Sequence, residues 1–376
     1  MHSARWLLKT PRGYHVVRED DESECNEKSI DSLRGFKTID QKRSTCCFRL
    51  VLVGAALLFS AILIIGMIRA FSPGIGFGIT RTKHHFSACP VRREWRTLST
   101  AQQQNYIQAV QCLLELNSSI PSVPNMTAYD DFPWIHSRVG YFTHNSAAFL
   151  PWHRYFLQIY ETTLREQCGY EGRLAYWDWS LDYLALEHSP VFDRVNGFGG
   201  DGEMDGQVIL GSTGRCVTDG PFADLEVKYY DIEYQPHCFS RGFRNNAGEL
   251  GHIDGEGVSP ESIEEVLGSK TYEEFVELME VRIHDAIPMG IGGDFETFTA
   301  PYDPLFFLHH TQLDRLWWLW QQRQEDGGLL SYGGTKERYS NEAANLEDYL
   351  YYRQLGSYVQ VKDVMDIRSQ ALCYDY

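Results

Sequence analysis

Three histidines fall within 18 residues, His136, His144 and His153, in the stretch FPWIHSRVGYFTHNSAAFLPWHRYF. His284 sits in VRIHDAIPMGIGGD, and His309 and His310 stand side by side in DPLFFLHHTQLDRLWWLWQ. Seven more histidines are scattered along the chain. A lone imidazole is usually a satisfied polar group, but neutral imidazole is also the common protein ligand for copper, zinc, iron and nickel. In FLPWHRYFLQIY and FFLHHTQLDRLWW the rings of His153 and His310 are set in apolar, aromatic helix faces. There they are costly to bury unless their nitrogens find partners, and a metal ion is such a partner. Asp314, four residues after His310, stands one helical turn away, where a carboxylate could orient a ligating ring. No cysteine lies near these histidines, which argues against a structural zinc site. Facing helices of a bundle are an established place for paired metals.

The elements that must hold these rings can be read in outline. Ser99 suits the N-cap of a helix running through Leu114, with Tyr106, Val110 and Leu113 on one face. A second helix covers Trp152 to Arg165 and carries His153. The aromatic segment YWDWSLD (residues 176–182) follows as turns, and residues 190–258, rich in Gly and Asp, predict a long irregular region. Helical pattern resumes at Ser259-Pro-Glu-Ser-Ile-Glu-Glu and again over residues 272–286. A last strong helix spans Pro304 to Gln322, and the acidic tail after residue 341, ending CYDY, is expected to wrap on the surface.

The chain has 376 residues and a formal net charge of −17, unevenly placed. Residues 1–50 hold ten Lys/Arg against eight Asp/Glu, while residues 70–376 hold 23 against 43. Such a domain repels phosphate backbones, so nucleic acid is excluded as a partner. From Leu50 to Ile68 run 19 uncharged residues, LVLVGAALLFSAILIIGMI, long enough to span a bilayer as a helix. A cleaved signal peptide would have a shorter apolar core nearer the start. Lys42, Arg43 and Arg49 crowd the N-terminal flank, which places the N-terminus in the cytosol and the following domain in a lumen or outside. Residues 1–49 then read as a disordered cytosolic tail, 50–71 as the transmembrane helix, 72–88 as a stem and 89–376 as the metal-binding domain. Cys46 and Cys47, at the membrane edge, could be acylated or idle. Six of the nine cysteines (Cys89, Cys112, Cys168, Cys216, Cys238, Cys373) lie beyond the anchor, an even number that allows fifteen disulfide connectivities. Two glycosylation sequons, at Asn117 and Asn125, fall on the same side.

The stretch FLPWHRYFLQIYETTLREQCGYEGRLAYWDWSLD resembles the first copper motif of fungal tyrosinase-like proteins, and DPLFFLHHTQLDRLWWLWQ resembles the second. The resemblance covers roughly residues 89–325 and includes CPVRREWRTLS, CVTDGPFA and HCFSRGF. It implies an all-α fold, an antiparallel helix-bundle core with a di-copper centre and long loops, here preceded by one transmembrane helix. By the same resemblance His136, His144 and His153 hold the first copper. His284 and His310 match two ligands of the second, and His309 matches a histidine that stands behind the ligands.

The family has a further ligand four residues after the His284 position, followed shortly by Gly-Gly. Here Gly292-Gly293 keep the register and Pro288 stands in that ligand's place. Proline offers no side-chain ligand and breaks a helix. Glu280, one turn before His284, or a loop histidine such as His252 or His237, are the candidate replacements. The family often has Asn after the His284 position, where it helps a water deprotonate phenol; Asp285 stands there and could act as a base or cap a helix end. A cysteine that some fungal members cross-link to a histidine is Phe142 here. The resemblance implies two coppers, the second in question, that use O₂ to oxidise or ortho-hydroxylate a phenol, such as a tyrosine-like ring in a secondary metabolite or modified peptide. The alternative is a degenerate member with an incomplete second site, acting as an accessory or scaffold protein. An oxygen carrier is disfavoured, since a small anchored chain gains little from carrying O₂.

Overall fold

The computed structural model describes residues 89–120, 125–324 and 328–376. The expected tail, transmembrane segment and stem lie outside these residues. Among the described residues no helix is long and apolar enough to cross a membrane.

The core is helical. Helix α1 (Thr100–Glu115) starts with a reciprocal cap: Ser99 Oγ accepts from the Gln102 N–H, and Gln102 Oε1 accepts from the Ser99 N–H. Its Tyr106, Ile107, Val110 and Leu113 are buried at helical spacing. Helix α2 (Asp131–Thr143) tolerates Pro133 because that residue falls in the first turn, where an N–H has no helical partner. Helix α3 (Phe149–Cys168) is longer than the sequence pattern suggested and stops at Gly169, whose φ of 64° only glycine adopts freely. Helix α7 (Leu305–Arg323) opens where Asp303 Oδ1 accepts from the Leu305 N–H.

Helices α3 and α7 form the centre, with α1 packed on α3 and tied to it by Cys112–Cys168. Phe149 meets His310, Phe156 meets Phe306, and Tyr160 stacks on Phe307, so the two helices run past each other in opposite senses. Six tryptophans, Trp95, Trp152, Trp177, Trp179, Trp317 and Trp320, are fully buried around this pair.

Short helices α4 (Pro260–Leu267), capped by Ser259, and α5 (Tyr272–Leu278), capped by Thr271, lead to the second site. The expected helix over 272–286 is not continuous. After Leu278 the chain widens into a π-helical stretch, Met279–His284, and α6 (Ala286–Ile291) follows. Pro288 explains the change. It sits in the first turn of α6, where its missing N–H is not needed, and the widened turn ends just before it.

The fold is not purely α. Four two-stranded pairs brace the loops: β1 (Arg93–Glu94) with β2 (Ala175–Tyr176), and β3 (Arg215–Cys216) with β6 (Ser240–Arg241). The others are β4 (Glu226–Tyr230) with β5 (Glu233–Cys238), and β7 (Tyr349–Leu350) with β8 (Val359–Gln360). Disulfide Cys216–Cys238 crosses this region and Cys89–Cys373 joins the two ends, so all six expected cysteines pair. The tail corrects another expectation. Instead of lying on the surface, Tyr374 is fully buried, and both its hydroxyl and that of Tyr376 donate to Asp314.

Candidate metal centre

Two groups of three histidines form among the described residues, with one ring nitrogen of each within 4.8 Å of the others: His136, His144, His153 and His284, His309, His310. Helices α2 and α3 and the turn between them supply the first group; the π-helical stretch and α7 supply the second. His153 stacks on His310 at 4.3 Å between ring centroids, which joins the two groups across the central helix pair.

In the first group each Nδ1 is engaged, which turns Nε2 inward. His136 Nδ1–H donates to the Phe298 carbonyl (2.6 Å) and His153 Nδ1–H to the Phe149 carbonyl (2.7 Å). His144 Nδ1 contacts Glu280 at 2.9 Å. The three Nε2 atoms converge, His136 lying 3.2 Å from His153 and 3.4 Å from His144. Partners of this kind fix tautomer and ring orientation around a metal. Burial, helped by neighbouring imidazoles, pushes His136 and His144 down to about 3 and His153 well below its ordinary value. These rings are therefore neutral, the state in which imidazole ligates.

In the second group His284 Nδ1 contacts the Asp285 carboxylate at 2.9 Å. Both nitrogens of His310 are buried without any hydrogen-bond partner, and so is Nε2 of His309. Burial holds both rings well below the usual histidine value, so they are neutral too. Orphaned buried nitrogens are costly, and a metal ion relieves that cost. The donor set, imidazole throughout, fits copper. His309 differs in one respect: its Nδ1 accepts from the Trp179 indole N–H at 3.1 Å. A neutral ring that accepts at Nδ1 carries its proton on Nε2.

The centre is most accessible beside two of its rings. His144 and His284 are the most exposed of the six side chains, at 11% and 10%, and their centroids are 5.5 Å apart. Phe298 borders this mouth, 5.7 Å from His144.

The carboxylates do not stand where spacing suggested. Glu280, a candidate replacement ligand for the second copper, turns to the first group, where both its oxygens also accept the Asn145 N–H. Burial pushes its carboxyl up to about 8. Asp314 does not reach His310; it binds Arg154, Arg92, Tyr374 and Tyr376. Neither loop histidine joins the site, because His237 pairs with Asp294 and His252 with Glu187 on the surface. The imidazole that does stand with His284 and His310 is His309, which the sequence placed behind the ligands. Asn117 and Asn125 are both exposed. Sequence reasoning missed Trp179 as a partner of the centre, although YWDWSLD had marked its segment, and missed the Phe298 carbonyl, which no residue type announces.

Two groups of three histidines gathered around a central helix pair suit a pair of copper ions. Residues 126–323 match the model described as the common central domain of tyrosinase, and the chain belongs to that family, whose members bind two copper ions. It is 43% identical over 350 residues to the tyrosinase ustQ of Aspergillus flavus, covering 93% of this chain and 94% of that one. It is also 43% identical over 298 residues to the tyrosinase-like protein phomQ2 of Diaporthe leptostromiformis, covering 78% and 75%. Among solved structures it is similar to a polyphenol oxidase from Thermothelomyces thermophila, with a TM-score of 0.67, 27% identity, and coverage of 77% of this chain and 88% of that one. The chain is a copper oxidoreductase of the tyrosinase type.

Proposed function

We propose that this protein uses O₂ to oxidise the phenolic ring of a small molecule or modified peptide. The observation that carries the proposal is the convergence of six imidazoles, five of them buried, three of whose nitrogens have no partner in the protein. His136, His144 and His153 would hold one copper, and His284 and His310 the other; His309 would join them only by giving up the Trp179 hydrogen bond, which frees its Nε2. Copper bound there supplies the binding and reduction of O₂. A phenol and one O₂ then yield an o-quinone and one water; two catechols and one O₂ yield two o-quinones and two waters.

The protein's own groups do the rest. A phenol enters between His144 and His284, where Phe298 offers an aromatic edge. Asp285 stands at that mouth with one oxygen on His284 Nδ1, and its second oxygen is available to take the phenolic proton. Glu280, weighed from the sequence as a replacement ligand, would here hold His144.

A second reading, a degenerate member without a working pair, is favoured by Pro288 in a ligand's place and by the Trp179 N–H on His309 Nδ1. Copper analysis of the purified domain separates the two. Two coppers per chain with O₂ uptake on phenols supports the oxidase; one copper or fewer, with no uptake, refutes it. Pro288→His is the companion variant: if phenol oxidation appears only in that variant, the natural protein lacks the paired chemistry.

We also propose that residues 50–71 anchor the protein in a membrane, with the described domain lumenal or extracellular. The three disulfides and the two exposed sequon asparagines support this topology. Retention in membranes after alkaline carbonate extraction, with a glycosidase-sensitive mass, is expected; a carbonate-soluble, unglycosylated chain would overturn it.

A further inference from the structure

Beside the mouth of the centre lies a loop that the reading above does not use. Residues 335 and 343 bridge to close it, and it is fastened to the chain around His144 by two main-chain bonds. Ala147 N–H donates to the Thr335 carbonyl at 2.9 Å, and Arg338 N–H donates to the Phe142 carbonyl at 3.3 Å. The second bond sets Arg338 two residues from His144 along the pairing. Its guanidinium lies 5.3 Å from the Tyr141 ring and 5.0 Å from the Tyr339 ring.

Three features set this loop apart from an ordinary surface turn. Among the described residues no carboxylate comes within ion-pair distance of Arg338, although nearby Lys336 pairs with both Glu342 and Asp348. An unpaired cation is unusual on a chain with a net charge of −17. Large aromatic surface is exposed around it: Tyr141 at 43%, Phe142 at 42% and Tyr339 at 79%. Finally, Tyr339 has a φ of 62°, a left-handed conformation that a bulky residue adopts only under constraint. Such strain collects where a side chain must be presented.

Resting on the phenol-oxidation reading, we propose that Arg338, flanked by Tyr141 and Tyr339, is a specificity-determining residue that selects phenols carrying a carboxylate. Guanidinium matches a carboxylate with two parallel hydrogen bonds. The exposed rings offer faces for the apolar part of the same molecule. With Arg338 binding the acid group, the phenol end is directed toward the opening between His144 and His284.

The test measures binding to the copper-depleted full chain, so that it does not depend on turnover. Titration calorimetry compares 4-hydroxyphenylpropionate with its methyl ester. The wild type is expected to bind the acid about tenfold more tightly at low salt, with the advantage shrinking as salt is added. Arg338→Gln is expected to bind acid and ester alike, at the ester's affinity, and Arg338→Lys to keep part of the preference. A tyrosine-ending tripeptide and its C-terminal amide distinguish a peptide carboxylate from a small acid as the source. Equal binding of acid and neutral analogue by the wild type in both pairs, or an acid preference that survives Arg338→Gln, overturns the inference. Preference for the acid without phenol oxidation by the copper-loaded protein sustains the inference and removes the oxidase reading. In a protein that does turn over, Arg338→Gln raises KM for the acid and leaves kcat unchanged.

Discussion

At His136, His144, His153 and His284 the Nδ1 atom is occupied by a carbonyl or a carboxylate, and Nε2 is left to face the centre. This makes the second partner of each ring as specific as the ring itself. Glu280 is the most informative case, because one carboxylate serves His144 Nδ1 and the Asn145 N–H together. Glu280→Leu keeps the bulk but removes the acceptor from both donors. The expected outcome is a roughly 10- to 100-fold loss of copper affinity at the first group, read by competition with a chromogenic chelator. Unchanged affinity would mean that His144 is positioned by packing alone.

Between helices, the second group depends on an irregular element. The π-helical stretch lets the Asp285 N–H donate to the Glu280 carbonyl, five residues back, so Glu280 and His284 serve different groups from adjoining turns. The chain then leaves through Gly292 and Gly293, at φ 67° and 59°. A Cβ on Gly293 would lie 2.4 Å from the Ser240 carbonyl oxygen, so a backbone crosses where a side chain would stand. Gly293→Ala should therefore cost at least about 1–3 kcal/mol from the left-handed backbone alone, seen as a lowered Tm. A Tm equal to that of the wild type would refute this account.

Over the whole molecule, Asp314 ties together parts that are far apart in sequence. It receives Arg92 from the start of the domain, Arg154 from α3, and Tyr374 and Tyr376 from the C-terminal tail that Cys89–Cys373 secures. Burial by itself would raise the Asp314 carboxyl, but Arg154 and Arg92 outweigh it and hold the group below the usual carboxylate range. Its stabilisation is therefore present above about pH 4 and is lost as pH falls through the depressed native value. Asp314→Asn leaves two buried guanidinium groups short of a charge and is expected to cost about 3–5 kcal/mol at neutral pH. In urea unfolding the gap between variant and wild type should narrow in acid; a gap independent of pH would mean the ionised pair contributes nothing.

Local chemistry was legible without coordinates. Histidines on aromatic faces and Ser99 as a cap are properties of short windows, where residue type and spacing carry the physics. Helical spacing says which residues share a face, but not which of two nearby groups that face meets. Glu280 is four residues before His284 and serves His144, while Asp314 is four after His310 and serves two arginines. Tertiary packing decided those partners, because a buried carboxylate goes to whichever donors the fold desolvates beside it. It also set His309, its Nδ1 on Trp179, among the three imidazoles of the second group, and carried the tail ending CYDY into the core.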